Sequence, residues 1–521
     1  MPTSDGHEQL ASLAAAVEGG DVAGTLAAVR AGWFELSTRH GEATRMLLER
    51  LPQSTIRAQP LLAMMLGIAY NVLGFHRVRA LRYFALAVRA ARAERSGMDP
   101  IDRALIRAAE SAAYRLLGRP RMSIGPSRAA VAALDALPEE ERASLDYLPR
   151  VYAQVGISLY YGGDVDAAMD TFAKGLAASP TTPPSPGFGN LAMLAGIHAL
   201  RGDIPEALEH IEYARTGPWT DEQRRMYTGT FYRLAEAMVA VERLDGEVAL
   251  AQLEAMEHDR RSIEHWIAIA QVEGLARLLA GDAGRALADL DAFAAMRGAE
   301  GRSASTRNAL ARVRALLQLA LGSPDAASVI LDRDLAGDPL GRIERARVDL
   351  ALDRTGSALT GLRALAGEHL PARGAAEAAA LEAAVLLRFS DSARTRGVVG
   401  QLGALLARTE QRLALALLPP RDLERVVSAL RDAGFAEVVD DVPLRSLLPE
   451  IRQETLLTER ELAVLAALMD TGSTAEIAAA LVVSANTVKT QLRSVYRKLG
   501  VSNREDAIAV AIDRHLLVEH D

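Results

Sequence analysis

The sequence predicts an all-α protein, an α-solenoid of helix hairpins followed by a small four-helix domain. Three observations carry this expectation. Half of the 521 residues are hydrophobic but only 4% are aromatic, and the apolar half is mostly Ala and Leu, which favour helices over strands. A turn pattern recurs every 37 to 42 residues through the middle of the chain, the period of a helix-turn-helix repeat. Near the C-terminus, four helix starts are marked by their own capping residues.

Composition removes several function classes. With no cysteine, structural disulfides, thiolate zinc sites and cysteine nucleophiles are excluded, and the chain suits a reducing cytoplasm. The opening MPTSDGHEQLASL has neither the basic region nor the apolar core of a signal peptide. No window approaches the ~18 unbroken apolar residues of a membrane span. A net charge of −8 argues against binding nucleic acid by bulk charge, so any such binding must be local.

The repeats come first. GGDVDAAM, RGDIPEAL, RLDGEVAL and AGDAGRAL place Asp164, Asp203, Asp245 and Asp282 four residues before Ala168, Ala207, Ala249 and Ala286, and LGSPDAAS is a weaker copy with Ser323 and Ala327. In this pattern Gly ends one helix in a left-handed conformation, Asp or Ser caps the next, and the small residue one turn on lets the two helices approach closely. Gly20-Asp21, Gly74 and Gly118 are more degenerate members. No single hairpin buries its own apolar face, so the hairpins must stack into one elongated core over 1–435. SPTTPPSPGFGN (179–190), with four prolines, cannot continue a helix. It is expected as a long inter-repeat loop, with a hinge or a lid over a concave binding surface as the sharper alternative. DLERVVSALRDAGF reads as the last helix of the array, and 436–455 as a linker.

The C-terminal domain, 456–521, is read from its caps. Thr458 with Glu461 and Ser473 with Glu476 are capping boxes, Ser484 precedes the third helix, and Asn503 with Asp506 opens the fourth. Gly472 and Gly500 fall where the first and third helices should end. At about 100° per residue, Val488, Leu492, Val495 and Leu499 form one apolar stripe on the third helix, while Asn486, Lys489, Thr490, Arg493 and Arg497 share the opposite face. The stripe can dock on the first two helices through Leu462, Leu465, Ile477 and Leu481. The opposite face suits a major groove, offering Lys and Arg to guanine O6 and N7, with Asn and Thr for further base or methyl contacts. Asn486, Lys489, Thr490 and Arg493 are therefore the candidate base contacts. Ser484, Thr487, Tyr496, Arg497, Lys498 and Arg504 are the candidate phosphate contacts. Five basic residues and no acid lie between Ile477 and Arg504, so the rest of the chain carries −13.

TEREL, EIA, SANTVKTQLRSVYRKLGVSNRE and DAIAVA together resemble the LuxR-type DNA-binding domain over its whole length. Lys489, Thr490 and Arg493 match the positions by which family members read bases. The resemblance implies a fourth helix that pairs two domains on adjacent half-sites, here through Ala507, Ile508 and Ala511. Ala475 and Ala485 replace more usual polar residues, which bears on phosphate contacts and sequence preference. The array resembles tetratricopeptide-like repeats and, through RHGEATRMLLERLP (39–52) and LLAMMLGIAYNVLG (61–74), the helical-repeat module of MalT-like bacterial regulators. Those regulators carry a phosphate-binding GxxxxGK[ST] loop. Only Lys174, Lys489 and Lys498 are lysines here, and none follows such a glycine frame.

Enzyme constellations are lacking. His258 and His265, near Asp259 and Glu264, make a poor metal site, and no G-x-S-x-G or H-E-x-x-H segment appears. No cofactor is expected. The reading is a sequence-specific transcriptional regulator, not an enzyme, and family habit tilts it towards activation. Its partners are double-stranded promoter DNA, a second copy of the chain on DNA, RNA polymerase, and a small-molecule or protein effector on the repeats. The alternatives are a helical-repeat scaffold and a sigma-like initiation factor. The latter would need an aromatic-rich basic helix, which Trp33, Trp219 and Trp266 do not supply.

Overall fold

The computed structural model describes residues 4–72, 77–93, 97–389, 392–451, 457–470, 473–499, 501, 503–513 and 516. Every regular element among them is helical, and they fall into two compact units, 1–450 and 451–521. No described helix is long and apolar enough to cross a membrane.

The hairpin turns form where the sequence places them. Gly163, Gly202, Gly281 and Gly322 adopt left-handed φ values of 94°, 92°, 82° and 74°, and Leu244 takes the same role at 59° in the copy that lacks glycine. The small residues one turn later, Ala168, Ala207, Ala249, Ala286 and Ala327, are at most 2% exposed. Only part of the capping expectation holds. Asp245 and Asp282 accept the backbone N–H of Val248 and Arg285, but Asp164, Asp203 and Ser323 make no side-chain cap. Asp164 instead receives Arg128 at 2.7 Å from the preceding hairpin. Gly74 lies outside the described residues.

The proline-rich segment connects the helices Val165–Ala177 and Phe188–Arg201. Residues 181–184 are exposed, while Ser185 is buried and tied to the next connection through Pro218 O and the Gln223 amide. Trp33, Trp219 and Trp266 are core residues.

One expectation fails in the segment read as a linker. Residues 436–450 belong to the first unit: Ala436–Asp440 is a helix with Val438 and Val439 in the core, and Leu448 is 4% exposed. Leu447 donates to Ala416 O and Arg445 to Leu279 O. The valines are held by burial against the preceding hairpins.

Adjacent hairpins stack through Ala and Leu, but a second set of contacts joins elements further apart in sequence. Glu35 pairs with Arg150, Arg115 with Glu264, and Glu242 with Arg373. The Tyr161 hydroxyl meets His265 Nδ1 at 2.7 Å. His265 is enclosed between the Tyr161 and Tyr227 rings, and burial pushes its imidazole down to about 3, so it is a neutral core group. No group of metal ligands is found among the described residues.

Candidate nucleic-acid interface

In the second unit four helices, Glu459–Asp470, Thr474–Ala480, Ala485–Leu499 and Arg504–Asp513, follow the four caps. Thr458 N–H donates to Glu461 Oε2 at 2.7 Å, and the Thr458 hydroxyl accepts from Glu461 N–H at 3.3 Å. Ser473 and Glu476 repeat this box. Ser484 accepts from Thr487 N–H at 3.1 Å, and Asn503 from Asp506 N–H at 2.8 Å. Each cap satisfies an N–H that the helix itself leaves free. Gly472 and Gly500 lie outside the described residues.

The turn between the second and third helices is tight. Val482 sits at φ 53° and is 90% exposed, while Val483 N–H reaches back to Ala478 O at 3.0 Å. This is the closure that ends a helix on a left-handed residue, and it aims the third helix across the first two. Val488, Leu492, Val495 and Leu499 are all at most 7% exposed, packed with Leu465, Leu468, Ile477 and Ala478. Leu462 and Leu481 pack at the margin of the same core. Asn486, Thr487, Lys489, Thr490 and Arg493 are all exposed. The four candidate base-contacting residues thus share one solvent-facing side of a helix whose other side is fixed in the core.

The candidate phosphate-contacting residues are placed less uniformly. Ser484 and Thr487 share the cap at the amino end of the third helix, where free N–H groups and the helix dipole favour an anion. Tyr496 packs on the core, half-buried. The side chain of Arg497 lies outside the described residues. Lys498 Nζ stands 2.5 Å from Glu461 Oε2, and the Arg504 guanidinium donates to Leu468 O at 2.6 Å.

Glu461 was legible only as half of a capping box, and it does more. Its carboxylate also accepts the Ser494 hydroxyl at 2.8 Å, so one side chain ties the start of the first helix to two positions on the third. Lys498, the Thr458 backbone and the Ser494 hydroxyl together hold its carboxyl down at about 2. On the helix wheel Ser494 and Lys498 fall at about 140° and 180° from Lys489, off both the apolar and the basic arcs. That placement was the available signal.

The fourth helix requires a correction. Ala507 and Ala511, expected as contacts to a second copy, are 0% and 1% exposed and belong to the domain's own core. Small residues there let the helix close on Glu459–Asp470. Ile508 is half-buried against the same core, while Ile512 is 58% exposed.

Residues 455–511 match the family described as bacterial regulatory proteins, luxR family. Among curated proteins, the chain is similar to the HTH-type transcriptional regulator MalT of Yersinia enterocolitica, 35% identical over 111 residues, covering 19% of this chain and 12% of that protein. It is also similar to MalT of Serratia proteamaculans, 34% identical over 118 residues, covering 21% of this chain and 13% of that one. The matched stretch spans about an eighth of the length of these relatives. With four capped helices, the tight turn at Val482 and a third helix exposed on its basic side, the C-terminal unit is a LuxR-family helix-turn-helix domain.

Proposed function

We propose that this protein is a sequence-specific, DNA-binding transcriptional regulator. The observation that carries the reading is the division of the Ala485–Leu499 helix into an enclosed apolar side and an exposed side bearing Asn486, Lys489, Thr490 and Arg493. In the major groove these four residues read base edges, while Ser484, Thr487 and Arg497 position the helix on the backbone. Lys498 and Arg504 contribute first by orienting the helices and reach phosphates from the edge of the interface. The helical array senses a small molecule or a protein partner, and two copies act together on adjacent half-sites.

In vitro selection of duplexes by the full-length chain, followed by titration of selected and random sequences, tests this reading. Preference for the selected duplex that is reduced in Arg493→Ala is the expected result. Equal affinity for selected and random duplexes would sink it and leave a helical-repeat scaffold.

A further inference from the structure

The last hairpins of the array form a block with a core of its own. Between Ile343 and Val439, buried Ala, Leu and Val side chains from Pro339–Ala351, Ala372–Phe389, Ala393–Thr409 and Pro420–Asp432 make one apolar cluster. The block follows the rest of the array in sequence through 335–338, where Gly337 is left-handed at φ 83°. It meets Ala304–Ala320 through Arg312, which pairs with Glu344 and Glu377, and it touches the middle of the array along a further seam.

The seam is polar, and the block holds buried ion pairs of its own, Arg347 with Glu344 and Glu377 and Arg388 with Asp422. Glu242, 2% exposed, ends the Thr230–Glu242 helix. Its carboxylate accepts the Arg373 guanidinium and the backbone N–H groups of Arg412 and Leu413 at 2.8 and 2.9 Å. Arg373 also donates to Leu200 O and Ala199 O, at the carboxyl end of Phe188–Arg201, at 3.2 and 2.9 Å. At the far end Arg445 donates to Leu279 O at 3.1 Å. There Leu244, Leu279, Pro443, Arg445 and Leu447 leave a cleft of about 190 Å³, and within the seam Arg412 Nε is buried without a hydrogen-bond partner. A buried polar atom left without a partner costs free energy, and a cleft forfeits the packing contacts that a filled core makes. The seam is therefore the joint that separates before the block's apolar core does.

We propose that residues 339–450 dock on the middle of the array as a rigid block, with Glu242 as the latch and 335–338 as the hinge, and that opening this seam is how the array acts on the DNA-binding domain that follows residue 450. The coupling rests on the regulator reading; the opening does not. Closed, the latch holds the last helices before the DNA-binding domain to Phe188–Arg201 and Thr230–Glu242. Open, it frees Arg373, Arg412 and the cleft to solvent while the block's apolar core stays intact, the hinge-type change by which a bistable interface transmits a signal.

The absence of cysteine gives a direct test in the full chain. Leu413→Cys places a thiol in the seam, where Leu413 is 2% exposed, and Leu381→Cys places one in the block's core, where Leu381 is fully enclosed. With Ellman's reagent and no DNA, the thiol of Leu413→Cys should react at least tenfold faster than that of Leu381→Cys. Glu242→Gln should accelerate the first tenfold or more and leave the second unchanged. Equal rates, or equal acceleration of both, overturn the joint. If Leu413→Cys does not fold, hydrogen exchange at the Arg412 and Leu413 amides of the unsubstituted chain, compared with 380–386, decides the same question. Glu242→Gln should also change the affinity of the full chain for its selected duplex at least threefold, and an unchanged affinity overturns the coupling. A chain that selects no duplex fails on the regulator reading, while the thiol rates still decide the joint.

Discussion

Arg493 and Lys489 leave a helix whose opposite side is fully engaged in the core, so their guanidinium and ammonium groups can be removed without disturbing the fold. Arg493→Ala is expected to weaken binding to the selected duplex by about 1–3 kcal/mol and to relax preference at one base pair. Competition titrations against single-base variants of the duplex read both effects. Val482 is different. A β-branched residue at φ 53° carries left-handed strain of ~1–2 kcal/mol, and with 90% exposure it gains no burial in return. Val482→Gly removes the strain and adds some unfolded-state entropy, for a net stabilisation of about 0.5–1 kcal/mol. Slower hydrogen exchange across 474–499 in the full chain is the readout, and faster exchange would mean that Val482 makes a contact worth more than its strain.

Between helices, Glu461 does the joining. Its carboxyl lies at about 2 against an ordinary 4.5, chiefly through Lys498. A carboxyl depressed by folding stabilises the folded domain above its unfolded value and loses that contribution as pH falls from about 4.5 towards 2. The helix-turn-helix domain should therefore lose stability across that window, seen as rising hydrogen exchange in 485–499. Glu461→Gln should be less stable at neutral pH and respond less to acid over the same range. In the array the comparable constraint is steric. A Cβ on Gly246 would meet Ala276 O at 2.5 Å and Ala280 N at 2.8 Å, both backbone atoms of the next hairpin that cannot rotate away. Gly246→Ala should destabilise the array by about 1–3 kcal/mol in thermal unfolding.

At the scale of the whole molecule, two units with separate cores should unfold in separate steps. Calorimetry of the full chain is expected to show two transitions, with Glu461→Gln moving one and Gly246→Ala the other. A single transition moved equally by both substitutions would show that the units unfold together.

Much of this organisation could be read without coordinates. The Gly-Asp turns, the enclosed alanines after them, the four caps near the C-terminus and the two sides of the Ala485–Leu499 helix depend on neighbours within about two turns of helix, and a sequence displays such relations directly. The role of Ala507 and Ala511 was misjudged because a small apolar residue fits either a neighbouring helix or a second chain, and only the packing of the fourth helix on the first chooses between them. The linker was misjudged for a related reason: Val438 and Val439 show no periodicity until the surface they bury against is known. Ser494 and Lys498 lie 33 and 37 residues from Glu461, and Arg373 and Arg412 lie 131 and 170 residues from Glu242. The sequence by itself determined the helices, their turns, the cysteine-free chemistry and the basic side of one helix, since these follow from local periodicity and composition. Which carboxylate meets which cation, which small residues turn inward and where the array meets itself were decided by tertiary structure, because such pairings follow from how the stacked hairpins bring distant segments together.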